Sequence, residues 1–239
     1  MPSFELLYRF FGARVDDVDL TSQLVEAVFA KIRAAFERYS LLVFSDHALR
    51  DDQKIVFSRW LGSLGMTKVG AMGEGTELLI LTNVDPDDGA TTPTDHRLHR
   101  THHANSLWHT DRSFKKNLAL ASLLSARIVP PVGVETELAG RRVAYAGLDD
   151  ETKQRVEGRI AMHSFANSRK QIDAELMTVV ERNEILPVSH LLVSTNPATV
   201  PDKIYRHVWR DNVFLPWDNR WMLHRGQPFD NQKYRRHMI

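Results

Sequence analysis

Residues 105–114 read Asn-Ser-Leu-Trp-His-Thr-Asp-Arg-Ser-Phe and hold two side chains that can bind a metal, His109 and Asp111. The aromatic and β-branched residues of this stretch are typical of a strand. In a strand, alternate side chains share a face, so these two would point the same way. An imidazole and a carboxylate that converge on one point supply two of the three ligands in the facial triad that holds non-haem Fe(II). The best candidate for the third ligand is His224, within residues 217–225.

Taken alone, the His-x-Asp spacing is weak support for a metal site. The chain contains 11 histidines and 30 acidic residues, so such a spacing easily arises by chance. The alternative interpretation is a half-buried strand in which His109 and Asp111 simply hydrogen-bond to each other. Choosing between the metal site and the simple hydrogen-bonded pair requires evidence from the motifs in the rest of the chain.

Composition sets the bounds of the prediction. A chain of 239 residues with 43% hydrophobic residues can form one large domain. The chain has no cysteine, so a metal site must use nitrogen and oxygen ligands. A net charge of +1 gives no support for nucleic-acid binding. The sequence shows neither an apolar run long enough to span a bilayer nor a secretory signal, so we expect a cytoplasmic protein without a membrane partner.

The pattern of apolar residues predicts helices in the first part of the chain and mostly strands after it. Helices are predicted over residues 21–36, 51–61, 143–155 and 171–183, the last of which could equally be a loop, and strands over residues 41–44, 78–82, 118–129, 160–165, 205–209, 213–217, 221–224 and 234–239. Many short strands around a metal favour a jelly roll, whose facing sheets form a mouth where ligands converge. We predict a single, mostly β domain over residues 1–239, with a double-stranded β-helix (jelly-roll) core and flanking α-helices.

Several further motifs resemble one family. They are the opening strand at residues 11–20, the strand at 41–44, the metal motif at 107–114, the proline-rich turn and strand at 129–138, and the C-terminal signature at 217–220, 223–225 and 235–236. In this order they are similar to the motifs of the TauD/TfdA family of Fe(II)- and 2-oxoglutarate-dependent dioxygenases. The resemblance covers nearly the whole chain.

The resemblance implies the roles of five residues. His109, Asp111 and His224 would bind the iron and leave its other positions open to the cosubstrate 2-oxoglutarate and to O2. Arg235, eleven residues after His224, would bind the far carboxylate of 2-oxoglutarate, and Thr136 would add a further hydrogen-bond donor. The implied reaction couples decarboxylation of 2-oxoglutarate, to succinate and CO2, with hydroxylation of a substrate C–H bond.

The resemblance is weaker for the substrate. Asn105 and Lys68 occupy positions that border the substrate pocket in relatives, and they are candidates to contact a small, anionic organic acid. Many relatives carry a substrate-binding arginine where this chain has Ile239. The chain is also short between about residues 199 and 204, where relatives carry a core strand, a loop and a helix. We therefore expect that a flexible segment is missing there, which an intact mass equal to 27.4 kDa would contradict.

Two other functions remain open at this point. A jelly roll of this kind could bind metal and 2-oxoglutarate without turning them over, and the short segment before residue 204 favours that alternative. A zinc hydrolase could use the same three ligands, but it would leave Arg235 and Thr136 without a purpose. We also expect self-association, because relatives are commonly oligomeric.

Overall fold

The core of the protein is built from antiparallel strands in the computed structural model, which describes residues 1–67, 71–85, 87–93, 103–173, 177–191 and 201–239. The strands are β1 (Ser3–Tyr8), β2 (Phe11–Asp16), β3 (Leu42–Val43), β4 (Leu81–Thr82), β5 (Ala121–Ile128), β6 (Thr136–Gly140), β7 (Ile160–His163), β8 (Val188–Leu191), β9 (Ile204–His207), β10 (Phe214–Asp218), β11 (Met222–Gly226) and β12 (His237–Met238). The helices are α1 (Glu26–Tyr39), α2 (Asp51–Leu61), α3 (Arg141–Ala146), α4 (Asp150–Val156), α5 (Phe165–Lys170) and α6 (Val179–Glu184).

The strands form two main layers. In the first layer the order is β10-β5-β12-β4, and β1-β2-β3 continues this layer through bridges that pair Leu41 with Trp217 and Phe44 with Phe214. The second layer has the order β11-β6-β9, with antiparallel pairing throughout. Leu138 from β6 and Met222 from β11 pack with Leu215 from β10 in one buried cluster, so both layers share a core. Two antiparallel layers over one core agree with the predicted jelly roll.

The helices α1 and α2 cover the outer face of the first layer. Phe29, Ile32 and Phe36 recur at helical spacing on α1, and they pack with Phe44 and Phe214 of the first layer. Because β10 is covered on one face by these helices and on the other by the second layer, every one of its residues is buried. Within the described residues, no helix is both long and apolar enough to cross a bilayer.

Several predicted boundaries were wrong. The helix predicted from residue 21 begins only at Glu26, because the hydroxyls of Thr21 and Ser22 donate to Asp19 instead of capping it. The helix predicted over residues 143–155 is two short helices that are separated after Gly147. The strands predicted over residues 78–82 and 234–239 shrink to β4 and β12, and the helix predicted over 171–183 shrinks to α6, with residues 174–176 outside the described part.

The pair β7–β8 forms a small sheet apart from the two main layers. It forms a two-stranded sheet in which Ile160 and Met162, two positions apart and therefore on one face, are 68% and 69% exposed. A two-stranded sheet with an exposed apolar face is marginally stable by itself. The sequence predicts a missing segment between about residues 199 and 204. Residues 192–200 lie outside the described part, and Pro201–Lys203 form a short 3-10 helix directly before β9.

A buried ion-pair network ties α1 to the end of β10. The Asp218 side chain is fully buried and accepts hydrogen bonds from Arg220, with Nη2 to Oδ2 at 2.7 Å. The same guanidinium donates to Glu37 of α1 at 2.6 Å. The backbone of Asp218 also donates to the carbonyl of Ser40 just after α1. Residues 217–220 therefore fix where the first helix lies on the sheet.

We expect Asp218→Asn to lower the free energy of unfolding by about 2–3 kcal/mol, because it removes the charge that holds a partly buried guanidinium. Urea unfolding at neutral pH measures this change. The matched control is Asp16→Asn, which breaks the exposed pair of Asp16 with Arg14 and should cost no more than about 0.5 kcal/mol. Equal losses in the two variants would contradict the structural role of the network.

Candidate metal centre

The position of the site is set by a single antiparallel bridge between two distant histidines. The backbone N–H of His109 donates to the carbonyl of His224 at 3.0 Å, and the N–H of His224 donates to the carbonyl of His109 at 2.9 Å. Their rings lie side by side with centroids 4.2 Å apart. His224 belongs to β11, and Met222 on the same face of that strand is part of the buried core. His224 therefore points between the two layers.

Asp111 reaches the same place by a turn and not by strand alternation. The prediction of a strand through His109 and Asp111 was wrong, because only His109 pairs and the chain turns at residues 111–114. Arg112 takes a positive φ of 55° in this turn. Its guanidinium donates to the carbonyls of Gly65 and Met66, each at 3.1 Å, so Arg112 points away from the two histidines.

Three potential ligands converge at this point. One ligand atom each from His109, Asp111 and His224 lies within 4.8 Å of the others. Nε2 of His109 is 3.8 Å from Oδ1 of Asp111, and Nε2 of His224 is 3.7 Å from Oδ2. Both distances exceed a hydrogen bond, so the three groups surround a common point and do not pair with each other. This geometry disfavours the interpretation in which His109 and Asp111 only bond to one another.

Neighbouring groups orient the ligands. Nδ1 of His109 is 2.7 Å from the carbonyl of Leu107, which can only accept, so Nδ1 carries the proton and Nε2 keeps its lone pair. The hydroxyl of Ser122 donates to Oδ2 of Asp111 at 2.5 Å, and the amide of Asn219 donates to that hydroxyl at 2.9 Å. The sequence pattern did not predict a role for Ser122 or Asn219, although Asn219 lies in the C-terminal signature at residues 217–220.

The charge states of these groups suit a divalent metal. Burial lowers the pKa of His224 to about 3, so its imidazole is neutral at ordinary pH. Burial acts to raise the pKa of Asp111, but His224, His109, the hydrogen bond from Ser122 and the charge of Arg112 together lower this pKa below its ordinary value. Metal ligands must be deprotonated, and two imidazoles with one carboxylate are the donor set of the non-haem Fe(II) triad. The residues therefore fit the metal.

The site is closed on one side and open on the other. The side chain of His224 is 10% exposed, whereas those of His109 and Asp111 are 30% and 35% exposed. A small molecule can thus approach from the side of His109 and Asp111. His224 lies against the ring of Trp217, with centroids 4.7 Å apart, and has protein behind it.

Thr136 lies on the face of the second layer that carries His224. His224 pairs with Leu138, and Gly226 pairs with Thr136, so alternation places Thr136 and His224 on one face. The Thr136 hydroxyl accepts from the indole N–H of Trp209 at 2.9 Å, which leaves its own proton free to donate. Thr136 is therefore available as the donor that the sequence analysis expected.

The two neighbouring arginines near the C-terminus differ sharply. Arg235, the predicted cosubstrate ligand, is exposed. Arg236 instead buries Nε and Nη2, which have no hydrogen-bond partner among the described residues. Burial lowers the pKa of Arg236 to about 10. A buried guanidinium without an acidic partner fits an anionic ligand, so Arg236 is a second candidate for this role. The role of Arg235 stays a prediction.

The two candidate substrate residues have different outcomes. The carbonyl of Asn105 accepts from the N–H of Gly226 at 2.8 Å, so Asn105 lies next to the strand that carries His224. Lys68 lies outside the described residues. The roles of both side chains stay predictions.

His207 is a buried histidine on the same face as Thr136, with which it pairs. Its Nδ1 is 3.3 Å from the hydroxyl of Tyr205, and its buried Nε2 has no hydrogen-bond partner among the described residues. Burial lowers the pKa of His207 to about 4, so the imidazole stays neutral in the folded protein.

The neutral state of His207 makes stability depend on pH. An unfolded chain binds a proton at this histidine below about pH 6.5, whereas the folded chain does so only near pH 4. Stability is therefore lost as the pH falls through this window. We expect His207→Gln to remove about 2–3 kcal/mol of the fall in unfolding free energy between pH 7 and pH 4.5. Urea unfolding at several pH values measures it, with His103→Gln as the exposed control. A variant that still follows the wild-type curve would refute this assignment.

Comparison with known proteins identifies relatives of the whole fold. The family described as "Taurine catabolism dioxygenase TauD, TfdA family" matches residues 3–205. An alpha-ketoglutarate-dependent 2,4-dichlorophenoxyacetate dioxygenase from Cupriavidus pinatubonensis is 32% identical, over 94% of this chain and 91% of that protein. An (S)-phenoxypropionate/alpha-ketoglutarate-dioxygenase from Sphingobium herbicidovorans is 28% identical, over 96% of this chain and 91% of that protein.

A solved structure extends the likeness to the fold. The crystal structure of AAD-2 in complex with Mn(II) and N-oxalylglycine has a TM-score of 0.87 and 30% identity, and it covers all of this chain and 94% of that one. The alignment with the Cupriavidus enzyme runs over 263 positions, whereas 94% of the 239-residue chain is about 225 residues. About 38 positions of the alignment, the difference between 263 and 225, therefore have no counterpart in this chain.

The family match covers well over half of the chain, and the metal-ligand geometry and the jelly roll agree with it. Enzymes of this family use Fe(II), 2-oxoglutarate and O2, and the described residues offer a His-Asp-His cluster and a buried arginine that suit the first two. The chain belongs to the TauD/TfdA family of Fe(II)- and 2-oxoglutarate-dependent dioxygenases.

Proposed function

We propose that His109, Asp111 and His224 hold the iron and that the enzyme hydroxylates a C–H bond of an aryloxyalkanoic acid. The observation that carries the proposal is the convergence of these three side chains within 4.8 Å, with ligand atoms too far apart to bond directly. Iron bound there would supply O2 activation, coupled to decarboxylation of 2-oxoglutarate to succinate and CO2.

The protein's own residues contribute position and charge. Ser122 and the carbonyl of Leu107 fix the carboxylate and imidazole orientations, so the ligands are held before the metal arrives. Arg236 would bind the far carboxylate of 2-oxoglutarate with two parallel hydrogen bonds, and Thr136 would donate a third. The buried face of His224 and Trp217 excludes water from one side of the reacting groups.

The substrate class follows from the named relatives. The enzymes from Cupriavidus and Sphingobium act on 2,4-dichlorophenoxyacetate and (S)-phenoxypropionate, both ether-linked aryl carboxylic acids. Insertion of one oxygen atom from O2 into the C–H beside the ether oxygen gives a hemiacetal, while 2-oxoglutarate takes the other atom. The hemiacetal then breaks its C–O bond to release a phenol and, from an aryloxyacetate, glyoxylate. Asn105 and Lys68 remain candidates to contact this substrate.

An anaerobic titration tests the metal and cosubstrate sites together. When Fe(II) and 2-oxoglutarate are added to the metal-free protein, we expect the weak visible charge-transfer band of the chelate. His109→Ala should abolish the band because it removes one of three ligands. A folded wild-type protein that binds Fe(II) but shows no band would instead favour a metal-binding protein with a broken 2-oxoglutarate pocket, or a hydrolase.

The same titration separates the two arginines. Arg236→Gln should weaken 2-oxoglutarate binding by about 100-fold, the usual order for truncating one partner of a buried charge pair. Arg235→Gln is the matched control and should titrate like the wild type, because Arg235 is exposed. The opposite result would restore the prediction made from the sequence.

We further propose that the natural chain carries a further segment between about residues 199 and 204. The unmatched alignment positions and the exposed apolar face of β7 support this proposal. The expected result is an intact mass above 27.4 kDa for the natural protein. A mass equal to that value would refute it, and the exposed face would then need another cover. Self-association, a cytoplasmic location and the lack of nucleic-acid and membrane partners also stay predictions.

A further inference from the structure

A cavity of about 230 Å³ lies beside α5, and cations dominate its walls. Arg169, Lys170 and Arg182 line it, with Asp173 as the carboxylate among the lining residues. Three positive charges face one negative charge, so the cavity favours an anion. The potential metal ligands His109, Asp111 and His224 do not line this cavity. Arg169 is the lining residue that connects the cavity to them.

The three cations differ in what they already bind. Arg182 donates through Nε and Nη2 to the carbonyl of Met177, at 3.3 and 2.9 Å. Lys170 is exposed. Arg169 buries its Nε, which has no hydrogen-bond partner in the described part of the chain, and its guanidinium stacks 4.6 Å from the Phe165 ring. A buried donor without an acceptor is costly, so a bound anion would stabilise Arg169 in this position.

Arg169 also connects the cavity to the candidate metal centre. Burial lowers the pKa of Arg169, and the carboxylates of Asp111 and Glu181 oppose this shift. The rings of Phe165 and Phe114 stack with centroids 4.7 Å apart, and Phe114 lies three residues after Asp111. The helix α5 is thus held against the turn that carries Asp111. A divalent cation on Asp111 would use the negative charge of that carboxylate, so Arg169 would then have Glu181 and a bound anion as its negative neighbours.

We propose that Arg169 binds the carboxylate of the substrate and so selects carboxylic acids, an assignment that rests on the proposed dioxygenase function. A planar guanidinium binds a carboxylate through two parallel hydrogen bonds. The stack on Phe165 fixes the plane of the guanidinium, so the substrate carbon that carries the carboxylate is held at a defined position relative to Asp111.

The test compares a charged compound with an uncharged one of the same shape. Phenoxyacetate and phenoxyacetamide are given to the iron-loaded enzyme with 2-oxoglutarate, and phenol release is measured. Arg169→Gln should raise KM for phenoxyacetate by about 100-fold and leave KM for phenoxyacetamide within about 3-fold. Arg169→Lys should raise KM for phenoxyacetate by an intermediate amount, because lysine keeps the positive charge but cannot form two parallel hydrogen bonds with the carboxylate. Arg155→Gln, at an exposed arginine outside the cavity, is the control.

Other results would contradict the assignment of Arg169 or the proposed function. Equal losses with both compounds would make Arg169 a structural residue, and no loss would remove it from the pocket. The anaerobic charge-transfer band should persist in Arg169→Gln, which shows that the variant is folded. If the wild type forms the band but neither binds nor oxidises phenoxyacetate, the carboxylate assignment is wrong. If the wild type forms no band, the proposed function fails instead.

Discussion

The antiparallel bridge between His109 and His224 is the contact on which the candidate site depends. More than one hundred residues separate the two histidines, and closing such a loop carries a large entropic cost. The bridge itself contributes only two hydrogen bonds. The pairing of β11 with β6, and of β6 with β9, therefore has to hold His224 in place before the bridge can form. The site exists only when the second layer has folded.

The register of β6 decides which of its side chains face the metal ligands and which face away from them. Alternation directs Thr136 toward the side of His224 and directs Glu137 to the opposite face, where Arg206 and Arg225 bind its carboxylate at 2.6 and 2.7 Å. A slip of one residue would reverse the two and place an extra carboxylate on the side of the metal ligands. The two ion pairs on Glu137 therefore also protect the charge balance of the site.

The sequence predicted what depends on local pattern and missed what depends on packing. The periodicity of apolar residues located α1 and α2 and most strands, and the motifs around His109 and His224 contained the three potential ligands. The turn at Asp111 could not be predicted, because contacts of Arg112 with residues 65–66 hold it. Likewise, counting from His224 indicates Arg235, whereas the burial that makes Arg236 a second candidate arises only in the folded core. Ser122 is an ordinary strand residue until the fold places it on Asp111.

The charges around the candidate centre constrain what it can bind. A divalent iron held by the Asp111 carboxylate would leave one positive charge, and Arg236 and Arg169 would add one each, although the carboxylate of Glu181 opposes the charge of Arg169. Buried charges need partners, and no acidic side chain among the described residues hydrogen-bonds to either arginine. The 2-oxoglutarate dianion balances two of these charges. A monoanionic substrate balances the third, whereas a neutral substrate would leave Arg169 unpaired. The proposed charge of the substrate therefore depends on the buried guanidinium nitrogens of Arg236 and Arg169, which have no hydrogen-bond partner among the described residues.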